Sequence, residues 1–234
     1  MKQVSEISAD LFALGRAASE VTRRAHGGRG WFAGWRHLRP DGTWQGPASA
    51  VFSSVEERDV ASVGGMAAAC ALGANVFVGT SLSKVVQASS QGMRGILRLS
   101  VSARESPEEQ VGRLQELQAQ MTVRGAVDGV LPTPDEDALG LATLILVARC
   151  RLLLPLAQHV LVDLVRLGSK LGQICLAFGA DELLGPVVND RPLRLGENAG
   201  SHEITRAEAA QLLRGAGLRP FERVGHGQPQ EFVP

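Results

Sequence analysis

The sequence predicts an α/β protein assembled from parallel βαβ units. Short β-prone runs alternate with helices of ten residues or more, and most of the helices carry a start or stop signal of their own. The length, 234 residues, sets the scale. It suits one domain or a little more and lies at the short edge of what a (β/α)8 barrel needs, about 250 residues and seldom fewer than about 200.

Asp10 caps a helix whose apolar positions Leu11, Leu14, Ala18 and Val21 share a face, with Arg23 and Arg24 in the last turn and Gly27 as a stop. Gly28 to Pro47 reads as irregular, because it scatters Trp31, Trp35 and Trp44 among glycines, prolines and the turn Pro40-Asp41-Gly42-Thr43. Ser54 with Glu57 makes a capping box that opens a helix through about Ala71, ended by Gly73. Asn75 to Val78 and Ile96 to Val101 are the first two strands. Ser106, Pro107 and Glu109 form the clearest helix start in the chain, and Val111, Leu114, Leu117 and Met121 mark its buried stripe. A third strand runs from Val127 to Leu131 and ends at Pro132 and Pro134. Asp137 to Leu154 is a strongly apolar helix, His159 to Val165 a fourth strand, and Gly168 to Phe178 another helix. Thr205 and Glu208 box a helix that ends near Gly215, before a final strand at Phe221 to Val224. Five strands are too few for an eight-stranded barrel.

Lys and Arg together number 24, as do Asp and Glu, so the chain is formally neutral. That balance argues against nucleic acid as a partner, which calls for a concentrated basic face. The longest local excess of positive charge, Arg16 to Arg39, is broken up by glycines and tryptophans. The purest apolar run, Leu139 to Ala148, falls well short of the roughly twenty residues of a membrane span, so it reads as a buried helix and no membrane partner is expected. Glu6, Asp10 and Glu20 interrupt the first twenty residues, so neither a signal peptide nor a presequence is expected. Cys70, Cys150 and Cys175 are odd in number and widely spaced, which gives neither a disulfide framework nor a zinc site. The expected setting is cytoplasmic.

The stretch from Glu105 to Val188 resembles the C-terminal half of the radical S-adenosylmethionine enzymes of the futalosine route to menaquinone. These are aminofutalosine synthase and cyclic dehypoxanthinyl futalosine synthase, with the deazaflavin (FO) synthase as a wider relative. The resemblance rests on Glu105-Ser106-Pro107-Glu108-Glu109-Gln110-Val111, Gly129-Val130-Leu131-Pro132, Leu141-Ala142-Thr143, His159-Val160 and Gly168-Ser169-Lys170-Leu171. It is most specific at Gln173-Ile174-Cys175-Leu176-Ala177-Phe178-Gly179-Ala180-Asp181-Glu182-Leu183. The N-terminal helix from Leu14 to Gly27 and the turn Ala71 to Val78 are also similar to that family. The resemblance implies a parallel β/α barrel of radical S-adenosylmethionine type, and two departures from the family make it an incomplete one.

The family holds a [4Fe-4S] cluster in a C-x-x-x-C-x-x-C loop, yet the corresponding region, about Gly30 to Phe52, contains no cysteine. Only 23 residues separate Gly79-Thr80-Ser81 from Glu105, where the family has several βα units, so the middle of the barrel is expected to be missing. Gly79-Thr80-Ser81 stands where the resemblance places the turn that meets the methionyl amine, without its acidic member. The ligands of S-adenosylmethionine and the cluster are therefore absent, and no cofactor or metal is expected.

The candidate ligand-binding residues are Gly79, Thr80, Ser81, His159, Gln173, Asp181 and Glu182; catalytic residues are not assigned. His159 stands either at a barrel mouth or at a strand start where it bonds backbone. Asp181 and Glu182 are either ligand-contacting carboxylates at the C-terminal end of a barrel element or exposed acids after a helix-capping glycine. Trp31, Phe32 and Trp35 either floor a purine pocket or cover the core. Arg149 is expected to pair with a core carboxylate such as Asp163, and each cysteine to be a small buried apolar residue.

The chain divides into residues 1–52, an N-terminal helix and Trp/Gly-rich segment; 53–188, the barrel core; and 189–234, a helical tail. An incomplete barrel leaves an open edge, so a homo-oligomer or a heteromer with a cluster-bearing paralogue is expected. The leading reading is a noncatalytic, cluster-free relative acting as an accessory subunit. The alternative is a binder or non-radical enzyme acting on a nucleoside or menaquinone precursor, with Gly79, Thr80, His159 and Asp181 at one barrel mouth.

Overall fold

The computed structural model describes residues 10–46, 50, 52–102, 105–122, 125–135, 140–188, 204–224 and 228–233. Helix α1 (Leu11–His26) begins as its sequence dictates: the Asp10 carboxylate accepts from the backbone N–H groups of Phe12 and Ala13, and Gly27 ends it at φ 61°. The chain then enters strand β1 (Arg29–Leu38), where an irregular segment was expected. β1 is buried on both faces, with Phe32 in the layer beneath the helices and Ala33 and Trp35 inside the barrel. Such a strand shows no alternation of apolar and polar residues. Its glycines admit close neighbours, since a Cβ on Gly30 would come within 2.7 Å of Leu213. The turn at Pro40 to Thr43 is real: Asp41 Oδ1 accepts from the Thr43 N–H (2.9 Å) and hydroxyl (2.6 Å) and folds β2 (Trp44–Gln45) back on β1.

The capping box at Ser54 and Glu57 does not form. Those residues lie in and just after β3 (Phe52–Glu56), and tertiary partners take both side chains. Ser54 Oγ bonds Arg36 O and His37 Nδ1 on β1, while Glu57 reaches the backbone beyond β4 (Val76–Gly79). The helix expected there shrinks to α2 (Met66–Ala71), followed by Gly73 at φ 95°. α3 (Leu82–Ser90) then leads to β5 (Arg94–Val101).

α4 (Pro107–Gln120) carries the expected box in full: Glu109 N–H donates to Ser106 Oγ (3.2 Å) and Ser106 N–H to Glu109 Oε2 (2.8 Å). Ser106→Ala should cost about 1 kcal/mol of stability in urea unfolding. β6 (Gly129–Pro134) runs through the two prolines expected to end it. β7 pairs with β6 only at Gly129 and Val130. Pro132 and Pro134, two residues apart, therefore share an edge where the ladder demands no N–H.

α5 (Leu141–Leu153) is followed by β7 (His159–Asp163) and directly by α6 (Leu164–Ala177), which Asp163 caps. The strand expected through Val165 thus ends sooner. Gly168, at φ 72° and ψ 166°, interrupts α6 where the sequence placed its start. β8 (Glu182–Gly185), β9 (Val187–Val188), β10 (Ile204–Thr205), α7 (Arg206–Gly215), β11 (Arg219–Glu222) and β12 (Gln230–Glu231) complete the order, α7 opening on the expected Thr205–Glu208 box.

β1, β3, β4, β5, β6, β7 and β8 form a closed parallel barrel, because β8 also pairs with β1, Trp31 opposite Glu182 through Gly34 opposite Gly185. Three of these strands, β1, β3 and β8, were not foreseen, and the open edge expected of an incomplete barrel is absent among the described residues. β11 adds to the N-terminal part of β1, below the point where β3 joins it. Ala33, Trp35, Phe52, Val76, Val78, Ile96, Leu131, Leu161 and Leu184 plug the barrel interior. The two ends of the barrel are consequently separate polar chambers. Among the described residues no helix is long and apolar enough to cross a membrane.

Candidate functional site

All seven strands point the same way, so their C-terminal ends gather at one mouth. Gly79, Thr80 and Ser81 stand there at the end of β4. The Glu57 carboxylate accepts from the Thr80 N–H (2.7 Å), the Ser81 N–H (3.1 Å) and the Thr80 hydroxyl (3.2 Å), and Lys84 pairs with its other oxygen at 2.9 Å. Burial works against this charge, but Lys84 and the two N–H groups hold the carboxyl down at about 2. The chain's own anion thus satisfies N–H groups at the start of α3 that would otherwise be orphaned.

Beside it Glu56 is gripped by Arg98 (2.9 and 3.2 Å) and by Arg58 (3.0 Å). His37 Nδ1 lies 2.5 Å from Ser54 Oγ, and burial lowers the histidine's pKa against the pull of Glu56 and Asp163. A cavity of about 310 Å³ opens here, lined by Glu56, Glu57, Arg58, Gly79, Lys84 and Arg98 with their neighbours. Two buried nitrogens, Trp35 Nε1 inside the barrel and Arg98 Nε at this mouth, have no hydrogen-bond partner.

The opposite end is a floor of paired charges. His159 heads β7, Asp181 immediately precedes β8 and Glu182 opens it, and both acids are completely buried. Asp181 accepts from Arg151, the Val160 N–H (2.7 Å) and His159 Nδ1 (2.6 Å), with His26 Nε2 at 3.1 Å. Glu182 takes two bonds from Arg94 (2.5 and 2.6 Å) and two from Arg223 (3.1 and 3.0 Å), while Arg94 also binds Asp128. Three carboxylates thus meet three guanidiniums, with His26 and His159 beside them.

The hydrogen bonds assign His159 its tautomer: Nδ1 donates to Asp181, and Nε2 accepts from Arg223 at 2.9 Å. Burial lowers His26 to about 4 although Asp181 pulls the other way. Burial likewise opposes ionisation of Asp181, but Arg151 and His159 outweigh it and hold the acid at about 2. Glu182 lies well below the usual carboxylate range because Arg223 and Arg94 overcome the same penalty.

Ligand atoms of His26, His159 and Asp181 all lie within 4.8 Å of one another, a spacing compatible with a metal ion. The ring geometry is not compatible. The two imidazoles are stacked 5.1 Å apart and 13° from parallel, so their in-plane lone pairs do not converge on a common point.

The sequence candidates therefore separate into two groups. Gly79, Thr80 and Ser81 belong to the C-terminal mouth, whereas His159, Asp181 and Glu182 belong to the floor; the single mouth holding Gly79, Thr80, His159 and Asp181 does not exist. Asp181 and Glu182 are neither exposed acids nor carboxylates at a C-terminal end. Gln173 sits at neither end: on α6, its side chain packs against Gly215 of α7. Trp31 lies on the floor beside His26 and His159, at ring distances of 4.8 Å each, and Phe32 and Trp35 are core. Arg149 donates to Gln110 Oε1 (2.5 Å), while Asp163 caps α6.

Sequence reasoning missed His37, Glu57 and Arg98 at the mouth and His26, Arg94, Arg151 and Arg223 on the floor. Once β1 is accepted as a strand, its two-residue period through Trp31, Ala33, Trp35 and His37 points to the inward positions. The cysteines lie on three different helices. Cys70 on α2 is half-buried, while Cys150 on α5 and Cys175 on α6 are buried, with thiols pushed up to about 12 by that burial.

No protein-family model matches the chain. It is 34% identical over 100 residues to the aminodeoxyfutalosine synthase of Streptomyces coelicolor, a match that covers 42% of this chain and 26% of that protein. The chain thus spans about a quarter of this relative's length. Its fold is similar to that of methylornithine synthase, with a TM-score of 0.57 over 90% of this chain and 89% of the other at 12% identity. The resemblance read from the sequence is borne out, by sequence in the first case and by fold alone in the second.

Proposed function

We propose that this chain is a cluster-free, noncatalytic relative of the radical enzymes of the menaquinone route, acting in the cytoplasm as a partner or accessory subunit of a cluster-bearing paralogue. The observation that carries this reading is Glu57. Where the resemblance places the turn that meets the methionyl amine, the backbone N–H groups are bound by the chain's own carboxylate, and Lys84 already supplies the matching ammonium.

The cysteines support the same reading. A cluster needs thiolates at close range, whereas these three sit on separate helices and two are buried thiols at about 12. They do not fit a [4Fe-4S] centre. Anaerobic reconstitution with iron and sulfide should leave the visible absorption unchanged; a broad band with about four irons per chain would overturn the cluster-free reading. The accessory role predicts co-purification with the cluster-bearing paralogue, and clean separation of the two would remove it.

A second reading rests on the mouth cavity: a binder or non-radical enzyme acting on a nucleoside or menaquinone precursor. Arg58, Lys84 and Arg98 beside Glu56 and Glu57 line that cavity and suit a polar ligand that brings both acceptors and donors. Thermal shift against S-adenosylmethionine, futalosine and related nucleosides tests it, and no response to any of them removes it.

A further inference from the structure

The floor contains a feature that the charge-balanced network does not explain. Arg29 on β1 and Arg219 on β11 are register partners on adjacent parallel strands, as are Trp31 and Phe221 two residues further on. Side chains at matched positions leave the same face of the sheet, so two arginines and two aromatic rings share one surface. Both arginines are exposed, and among the described residues no carboxylate pairs with either. Like charges set directly across neighbouring strands are destabilising when nothing neutralises them.

The two guanidiniums are nonetheless held in position. Arg29 Nε donates to His26 O (2.9 Å), and Arg219 donates to Gly27 O (3.2 Å), both at the end of α1. The Arg29 guanidinium lies 5.9 Å from the Trp31 ring and 5.8 Å from that of Phe221, and the Arg219 guanidinium 5.9 Å from Phe221. A cavity of about 350 Å³ adjoins Arg29, walled by Arg29, Trp31, His159, Phe221, Arg223 and Gln228 with their neighbours; Arg219 lies outside its lining, and among the described residues no carboxylate lines it. The floor acids Asp181 and Glu182 are already taken by Arg151, Arg94 and Arg223, and Glu231, which pairs with Phe221 on this face, forms no ion pair with Arg29 or Arg219 among the described residues. Two guanidinium forks without ion-pair partners on one face, Arg29 at the edge of an aromatic-walled cavity and Arg219 next to it across the strands, suit an oxyanion with a flat body.

We propose that this N-terminal face binds a small phosphomonoester, its phosphate between Arg29 and Arg219 and its organic part against Trp31 and Phe221. The site is at the other end of the barrel from the C-terminal mouth and does not depend on the accessory-subunit reading.

Calorimetric titration in phosphate-free, low-salt buffer with phenyl phosphate and inorganic phosphate tests it. Phenyl phosphate should bind about tenfold tighter than inorganic phosphate, and Arg29→Gln or Arg219→Gln should weaken both by about tenfold. Trp31→Leu should weaken phenyl phosphate alone, and Glu57→Gln at the opposite mouth should change neither. Should a variant fail to fold, the His26 and His159 ring resonances of the unaltered chain provide a second readout, since phosphate bound here must shift them. No binding at millimolar ligand, or equal binding by the Arg29→Gln, Arg219→Gln double variant, would overturn the proposal.

Discussion

Asp181→Ala should lower the free energy of unfolding by about 3 to 5 kcal/mol, the range for removing one partner from a buried ion pair. The carboxylate has no solvent exposure and serves Arg151, His159 and the Val160 backbone N–H at once. Its removal leaves Arg151, itself 5% exposed, with only the carbonyls of Gly179 and Gln158. Asp181→Asn keeps the shape but turns an amide N–H toward groups that also donate, so it should be nearly as costly. Removing both charges with Asp181→Leu and Arg151→Met should recover part of the loss. Urea unfolding measures all three variants; a loss below about 1 kcal/mol for Asp181→Ala would mean that the floor network does not hold β7, β8 and α5 together.

Acid should weaken the fold well before the carboxylates titrate. His26 is lowered from 6.5 to about 4 by burial. Between those values the unfolded chain takes up a proton that the folded chain refuses, so stability falls as pH drops from about 6.5 to 4 and is level above that window. The full linkage is about 3 kcal/mol, and about 2 once the ring's partial exposure is allowed for. His37, lowered in the same direction, steepens the decline. From about 3.8 down to about 2, Asp181 adds its own loss, because there the unfolded chain binds a proton that the folded acid, held at about 2, refuses. Urea midpoints at pH 7, 6, 5 and 4 should show this slope in the unaltered chain and a shallower one in His26→Gln. Equal slopes would place the acid sensitivity elsewhere.

What the sequence disclosed was local chemistry. Asp10, Ser106 and Thr205 announced their helices because a cap is satisfied within three residues. Ser54 and Glu57 carried the same local signal and misled, because His37, Arg36, Thr80 and Ser81 offered both side chains better partners across strands. β8 escaped notice because Glu182 marks it as surface, and only Arg94 and Arg223, far away in sequence, make a buried glutamate affordable. The same distance hid the floor network as a whole. Asp181 and Glu182 were visible as acids, but nothing near them in the chain named their cations. At the mouth the turn Gly79-Thr80-Ser81 was legible, and the side chain that fills it was not.

The closure of the barrel on β1 also fixes an order of events in folding. The hydrogen bond from the Thr22 hydroxyl to Gly179 O joins residues 157 positions apart, and that from Arg219 to Gly27 O joins residues 192 apart. The N-terminal half of β1 therefore has no strand beside it until β8 and β11 have been synthesised. Loop closure over such spans costs only slightly more than over shorter ones, so the finished barrel need not be weak. Its assembly is slow, however, because long-range pairing raises contact order. Throughout that interval Trp31 and Phe32 stand on a bare strand edge, which makes the N-terminal half of β1 the segment most exposed to pairing with the wrong chain.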